Sequence, residues 1–108
     1  MMKKKIVIKT TGSYKKIPVE EITYCKADGS YTRICFGKDE SIVVTKLLKE
    51  LETELQAPEF FRISRSHLVN LDKSNEIIKN GHCELKMDNG ERLKVSRSRV
   101  KELVEKFC

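Results

Sequence analysis

The stretch 75–96 reads NEIIKNGHCELKMDNGERLKVS. Two turn signals divide it, Asn80-Gly81 and Asp88-Asn89-Gly90. Glycine in such a pair supplies the positive φ that a tight hairpin turn needs, because it has no Cβ to clash. The segments between the turns read as short strands, so 75–96 is expected to form a three-strand antiparallel meander.

The preceding residues follow the same pattern. KKIVIKT and KKIPVE flank a Thr-Gly-Ser turn at 11–13, and EITYCKA and YTRICF flank DGS at 28–30. ESIVVT follows GKD, and FFRIS precedes HLVNLD. Connections this short suit antiparallel pairing. In the DGS hairpin, pairing Cys25 with Cys35 sets Tyr24 opposite Phe36 and Lys26 opposite Ile34. Ile22, Tyr24, Ile34 and Phe36 would then share a core face. The two cysteines would be neighbours on the other face, as a redox pair or simply as small strand residues.

Two segments carry helical periodicity. In 45–56, Leu48, Leu51 and Leu55 form an apolar stripe that Leu47 widens, with Thr45 as expected N-cap and Pro58 as terminator. In 98–107, Val100, Leu103, Val104 and Phe107 recur at helical spacing behind Ser98 as expected N-cap. The fold class expected from the residues is therefore mainly β and antiparallel, with two short α-helices.

At 108 residues the chain has the length of one domain, 1–108. Its 39% hydrophobic and 35% charged residues fit a folded globular protein and argue against disorder. The opening MMKKKIVIKTT sets basic residues before apolar ones, as a secretory leader does. Its apolar run, Ile6 to Ile8, is too short for a leader, so the protein is expected to be cytoplasmic, with no membrane segment. The four cysteines, Cys25, Cys35, Cys83 and Cys108, include no CxxC or CxxH pair. Free thiols are expected, with no metal and no cofactor.

No glycine-rich phosphate loop, GxSxG or HExxH is present. His67 and His82 have no carboxylate or metal partner at motif spacing, and pairing His67 as a base with Ser66 or Cys83 lacks further support. No enzymatic activity is expected. The net charge of +6 favours a polyanionic partner. Two places concentrate it. Arg92 to Lys101 holds five basic residues and no acid, and Arg62 to Leu71 holds two arginines and a histidine, again with no acid.

Both places contain Ser-Arg-Ser, in RISRSHLVN (62–70) and KVSRSRVKE (94–102). Arginine can bond O6 and N7 of guanine with its planar fork and can also attract phosphate. Neighbouring serines are short donors for phosphate, and backbone amides at a strand-to-helix corner add more. The competing reading is that the serines cap turns and the arginines make surface ion pairs. Aromatic content is 6%, and most of it is expected in the core, with Tyr31 as the exposed exception. Single strands need exposed stacking platforms, so a duplex partner fits better.

Four stretches together resemble the LytTR family of bacterial DNA-binding domains, the output domains of response regulators. They are IPVEEITYCKADGSYTRI (17–34), TKLLKELETEL (45–55), FFRISRSHLVNLDKSNEI (60–77) and NGERLKVSRSRVKEL (89–103). The resemblance implies an elongated antiparallel β-sheet sandwich with two short helices. It implies a transcriptional regulator whose edge loops, rather than a helix, enter the major groove of double-stranded DNA. Tyr31, Arg65 and Arg97 match the family's base-contacting positions, with Ser64, Ser66, Ser96 and Arg99 beside them as candidates for the DNA backbone. Family members often carry histidine at the position of Ser64 and an aromatic at that of His67. Base preference at that corner is therefore open.

The family's usual receiver domain has no room here, which implies a stand-alone regulator or an excised domain. The expected partner is duplex DNA carrying promoter repeats, bound by a protein that is monomeric in solution and pairs on DNA. The alternative is a non-catalytic β-sandwich interaction or sensor module whose basic edges meet an acidic partner.

Overall fold

All ten expected strands are present in the computed structural model, which describes residues 4–108. Met1 to Lys3, the start of the leader-like stretch, lie outside the described residues. The strands are β1 (Lys5–Lys9), β2 (Tyr14–Pro18), β3 (Ile22–Asp28), β4 (Tyr31–Phe36), β5 (Glu40–Val44), β6 (Phe60–Ser64), β7 (His67–Asn70), β8 (Ser74–Lys79), β9 (Cys83–Met87) and β10 (Arg92–Lys94). The helices are α1 (Leu48–Leu55) and α2 (Val100–Phe107).

The meander forms as its turns require, in the order β10-β9-β8, with Gly81 and Gly90 at positive φ. A central five-stranded sheet has the order β5-β4-β3-β7-β6, and β1-β2 is a separate hairpin. Every strand pairing is antiparallel. The molecule is elongated, 45 × 36 × 24 Å.

The central sheet is covered on both faces, so its middle strands carry adjacent apolar residues instead of strict alternation. Cys25, Phe60 and Leu68 join Ile6, Ile8 and Ile17 of the hairpin and Leu48, Leu51 and Leu55 of α1 in one core. Their chain neighbours Tyr24, Phe61 and Val69 join Leu85, Met87 and Leu93 of the meander and Leu103 of α2 in a second.

This layering overturns the expected β3–β4 register. The turn closes on Asp28↔Tyr31, so Cys25 pairs with Ile34 and Tyr24 with Cys35, and an irregularity separates Ile22 from Tyr24. The expected register closes on Asp28 and Thr32 around Gly29, Ser30 and Tyr31, whereas only Gly29 and Ser30 connect the strands, with Gly29 at φ 63°. Cys25 belongs to the first core and Cys35 packs against the second, on opposite faces of the sheet. The proposed cysteine neighbours are thus separated.

Both helices start later than expected. α1 begins at Leu48, and the Glu50 carboxylate accepts a bond from the Leu47 amide at 3.2 Å, in place of capping by Thr45. It ends at Leu55 because Gln56 turns left-handed, φ 42°, before Pro58 can act. α2 follows a short helical turn, Arg97–Arg99, whose N-cap position is Ser96 and not Ser98.

The LVN of LVNLD has a structural use. Asn70 is 1% exposed, and its amide donates to the Ile22 carbonyl at 2.9 Å while its oxygen accepts from the Asp72 amide at 3.0 Å. These bonds satisfy a buried polar side chain and lock the end of β7 against β3.

Candidate nucleic-acid interface

The first Ser-Arg-Ser corner is the β6–β7 turn. Ser64 pairs with His67, leaving Arg65 and Ser66 as the connecting residues. Arg62 braces the turn from below, its Nε donating to the Ser64 carbonyl at 3.2 Å and its terminal nitrogen to the Arg65 carbonyl at 2.9 Å. The Ser64 hydroxyl accepts from the Ser66 amide at 3.2 Å. The turn is thus closed from within, and Arg65 points its charge outward, exposed.

The second corner follows β10. The Val95 amide donates to the Cys83 carbonyl at 2.9 Å, and the next amide, Ser96, donates to the Ile63 carbonyl at 2.8 Å. That second bond joins the corner to β6, the strand that leads into the first corner. Arg99 reinforces the joint. Its Nε donates to the Arg62 carbonyl at 2.8 Å, its guanidinium lies 4.5 Å over the Phe61 ring, and it bonds Glu102 at 3.2 Å. Arg97, two residues earlier, is exposed.

Tyr31 stands at the tip of the β3–β4 hairpin, 52% exposed. The Ala27 amide on the same hairpin donates to the Ser66 carbonyl at 2.9 Å. Two backbone bonds, Ala27 to Ser66 and Ser96 to Ile63, therefore link the three segments side by side. Among the described residues, the side chains of Tyr31, Arg65 and Arg97 have no hydrogen-bond or ion-pair partner, so all three are available to a ligand. The others differ. Ser64 and Arg99 are already engaged in holding the corners, and Ser66 and Ser96 are half-buried beside them.

A groove of about 700 Å³ lies between the corners. Ser64, Ser66 and His67 line it with Ser96, Arg97 and the β8–β9 loop, Asn80 to His82. The sequence marked Asn80-Gly81 only as a turn, because nothing in its spacing shows that the meander folds back against the β6–β7 corner. Within the groove, His67 Nδ1 lies 3.4 Å from both the Ser64 and Ser66 hydroxyls. Burial first, and the Lys26 charge second, hold its pKa below the ordinary histidine value, which favours the neutral ring.

The thiols of Cys25, Cys35 and Cys83 are not activated. Burial pushes Cys25 up to about 12, and burial also raises Cys35 and Cys83. Reactive cysteines need the opposite shift. Among the described residues, no group of three His, Cys, Asp or Glu side chains is placed to hold a metal, and no helix is long and apolar enough to cross a membrane.

A layered antiparallel fold with arginine-bearing loops gathered at one edge has the make-up of a β-type DNA-binding domain. The LytTr DNA-binding domain family matches residues 12–107, and the chain belongs to this family. It is similar to two heme-containing CO-sensing transcriptional regulators of Paraburkholderia xenovorans, RcoM 2 and RcoM 1, at 36% and 33% identity over 92 residues. Each match covers 82% of this chain, which spans 34% of those relatives' length. In structure it is similar to the LytTr DNA-binding domain of a protein described as a methyl-accepting/DNA response regulator from Bacillus cereus. That match has a TM-score of 0.80 at 27% identity and covers 97% of each chain.

Proposed function

We propose that the chain is a sequence-specific, double-stranded DNA-binding regulator of transcription that reads the major groove with loops at one edge of its β layers. In this reading Tyr31, Arg65 and Arg97 touch base edges, and Ser64, Ser66, Ser96 and Arg99 lie toward the DNA backbone. Ser64 and Arg99 also orient the readers through the turn bonds they make. The observation that carries the reading is the pair of backbone bonds that gathers three separate loops, each with an exposed and unpaired reader, on one edge. The net charge of +6 supplies nonspecific attraction to the duplex. The relatives' role as transcriptional regulators supports extending DNA binding to control of a promoter. Promoter repeats would be bound by chains that are monomeric in solution and pair on DNA. The protein acts without catalysis, in the cytoplasm.

Selection of binding sites from a random duplex pool tests this proposal. A recurring short motif is expected, in direct repeats if chains pair on DNA. Recovery of sequences with no common motif would reduce the protein to a nonspecific polyanion binder.

A further inference from the structure

Between the Tyr31 tip and the Arg65 corner, the central sheet presents a strip that the sequence did not reveal. Cross-strand partners point to the same face of a sheet. The pairings Ser64↔His67, His67↔Lys26, Lys26↔Arg33 and Arg33↔Val43 therefore align five side chains in one transverse row. The row lies on the face of Tyr24 and Cys35, but the meander does not cover all of it. Lys26 and Arg33 are exposed, and Val43 is 45% exposed.

The charges in this row conflict in the free protein. Lys26 and Arg33 stand directly opposite each other, and like charges in that position destabilise an antiparallel pair. Arg33 bonds only the neutral Ser41 hydroxyl, at 3.1 Å. Among the described residues neither cation has an ion-pair partner. The nearby acids are Asp28, two residues toward the tip, Asp39 and Glu40, which line a shallow pocket with Arg33 without pairing to it, and Glu91, whose carboxylate accepts from Tyr24 at 2.9 Å. An arrangement of two unpaired cations flanked by hydroxyls is relieved by an anion.

We infer that this row seats the sugar–phosphate backbone of the duplex, with Lys26 and Arg33 as two phosphate contacts, an inference that rests on the duplex-binding reading above. Strand geometry supports the depth. Tyr31 lies two residues beyond Arg33 on the same face, or about 7 Å at the usual strand rise. The major groove is about 8.5 Å deep. When the Tyr31 tip reaches the base edges, Lys26 and Arg33 stand at the lip of the groove, where the phosphates are.

The test is the salt dependence of duplex affinity for the wild type and the double variant Lys26→Gln/Arg33→Gln. Each lost phosphate contact flattens the slope of log K against log salt by about 0.9. Over a fourfold rise in salt the wild type should therefore lose about twelvefold more affinity than the double variant. The loss at low salt should be equal on selected and random duplexes, and the charge-conserving Lys26→Arg/Arg33→Lys should keep the wild-type slope. Thermal melting of the double variant should be no lower than that of the wild type, since a like-charge pair has been removed. If the double variant fails to fold, Lys26→Gln alone decides, with one such step in slope. An unchanged slope in a protein that still selects its site overturns the phosphate seat and leaves the proposed function intact. A loss confined to the selected duplex overturns it in favour of base reading. A wild type that binds no duplex overturns both.

Discussion

His67 lies in the groove between the two Ser-Arg-Ser corners, where its titration bears on stability. It faces the Ser64 and Ser66 hydroxyls, the Lys26 ammonium and, at longer range, the Glu91 carboxylate, and burial above all lowers its pKa. Its folded pKa lies below the unfolded value of about 6.5. The unfolded chain therefore binds the proton first as pH falls, and stability drops from about pH 6.5 through the lowered folded value. Denaturant midpoints between pH 7.5 and 5.5 should fall for the wild type and change less for His67→Gln; parallel curves for the two proteins would contradict this assignment. At this scale the sequence was only partly legible. Arg65 and Arg97 could be singled out because two Ser-Arg-Ser corners repeat without acids. That Arg99 lies over Phe61 and bonds the Arg62 carbonyl could not be read, because those contacts join residues about forty positions apart. Lys26 and Arg33 were missed because their pairing depends on register.

Elements were easier to read than their edges. Turn chemistry located most of the ten strands, since glycine and asparagine mark where the chain must reverse, although the β6–β7 turn, Arg65-Ser66, holds neither. Register depended on a single residue in the DGS turn. A slip by one moves each side chain to the other face, and here both faces are apolar, so hydrophobicity could not arbitrate. Helix ends also escaped, because a left-handed residue other than glycine leaves no mark in the sequence. Gln56 at φ 42° ends α1, and glycine relieves the Cβ strain of that conformation. Gln56→Gly should stabilise the protein by roughly 0.5–1 kcal/mol in urea unfolding, the relief of about 1–2 kcal/mol of left-handed strain less about 0.5–1 for glycine's extra entropy. A loss of stability would mean that the Gln56 side chain contributes more than its backbone costs. In β10 and its extension, Val95 is 4% exposed in the second core, beside Cys83 and Leu85. Val95→Asp buries a charge without a partner and should cost upwards of about 5 kcal/mol, which reaches the roughly 5–15 kcal/mol that holds such a domain folded. Loss of the folded circular-dichroism signal is expected, and a native-like melt would place Val95 outside the core.

At the scale of the whole molecule, layering explains why the candidate reader residues collect at one end. The hairpin and α1 pack on one face of the central sheet, and the meander and α2 on the other. The sheet's β3–β4 and β6–β7 turns stay free at its rim, and the Ser96–Arg97 corner that follows β10 of the meander lies beside them. The mainly β architecture was legible from turns and periodicity, but the two-sided burial was not, although the adjacent apolar pairs Tyr24-Cys25, Phe60-Phe61 and Leu68-Val69 were a visible trace of it. The central claim is that exposed arginines on this rim discriminate bases, beyond attracting phosphate. It is tested by measuring the affinities of wild type, Arg65→Ala and Arg97→Ala for the selected duplex and for a scrambled duplex, at one salt concentration. Each substitution should cost about 1–3 kcal/mol on the selected site and clearly less on the scrambled one. Equal losses on both duplexes would contradict base reading and leave the two arginines as phosphate contacts.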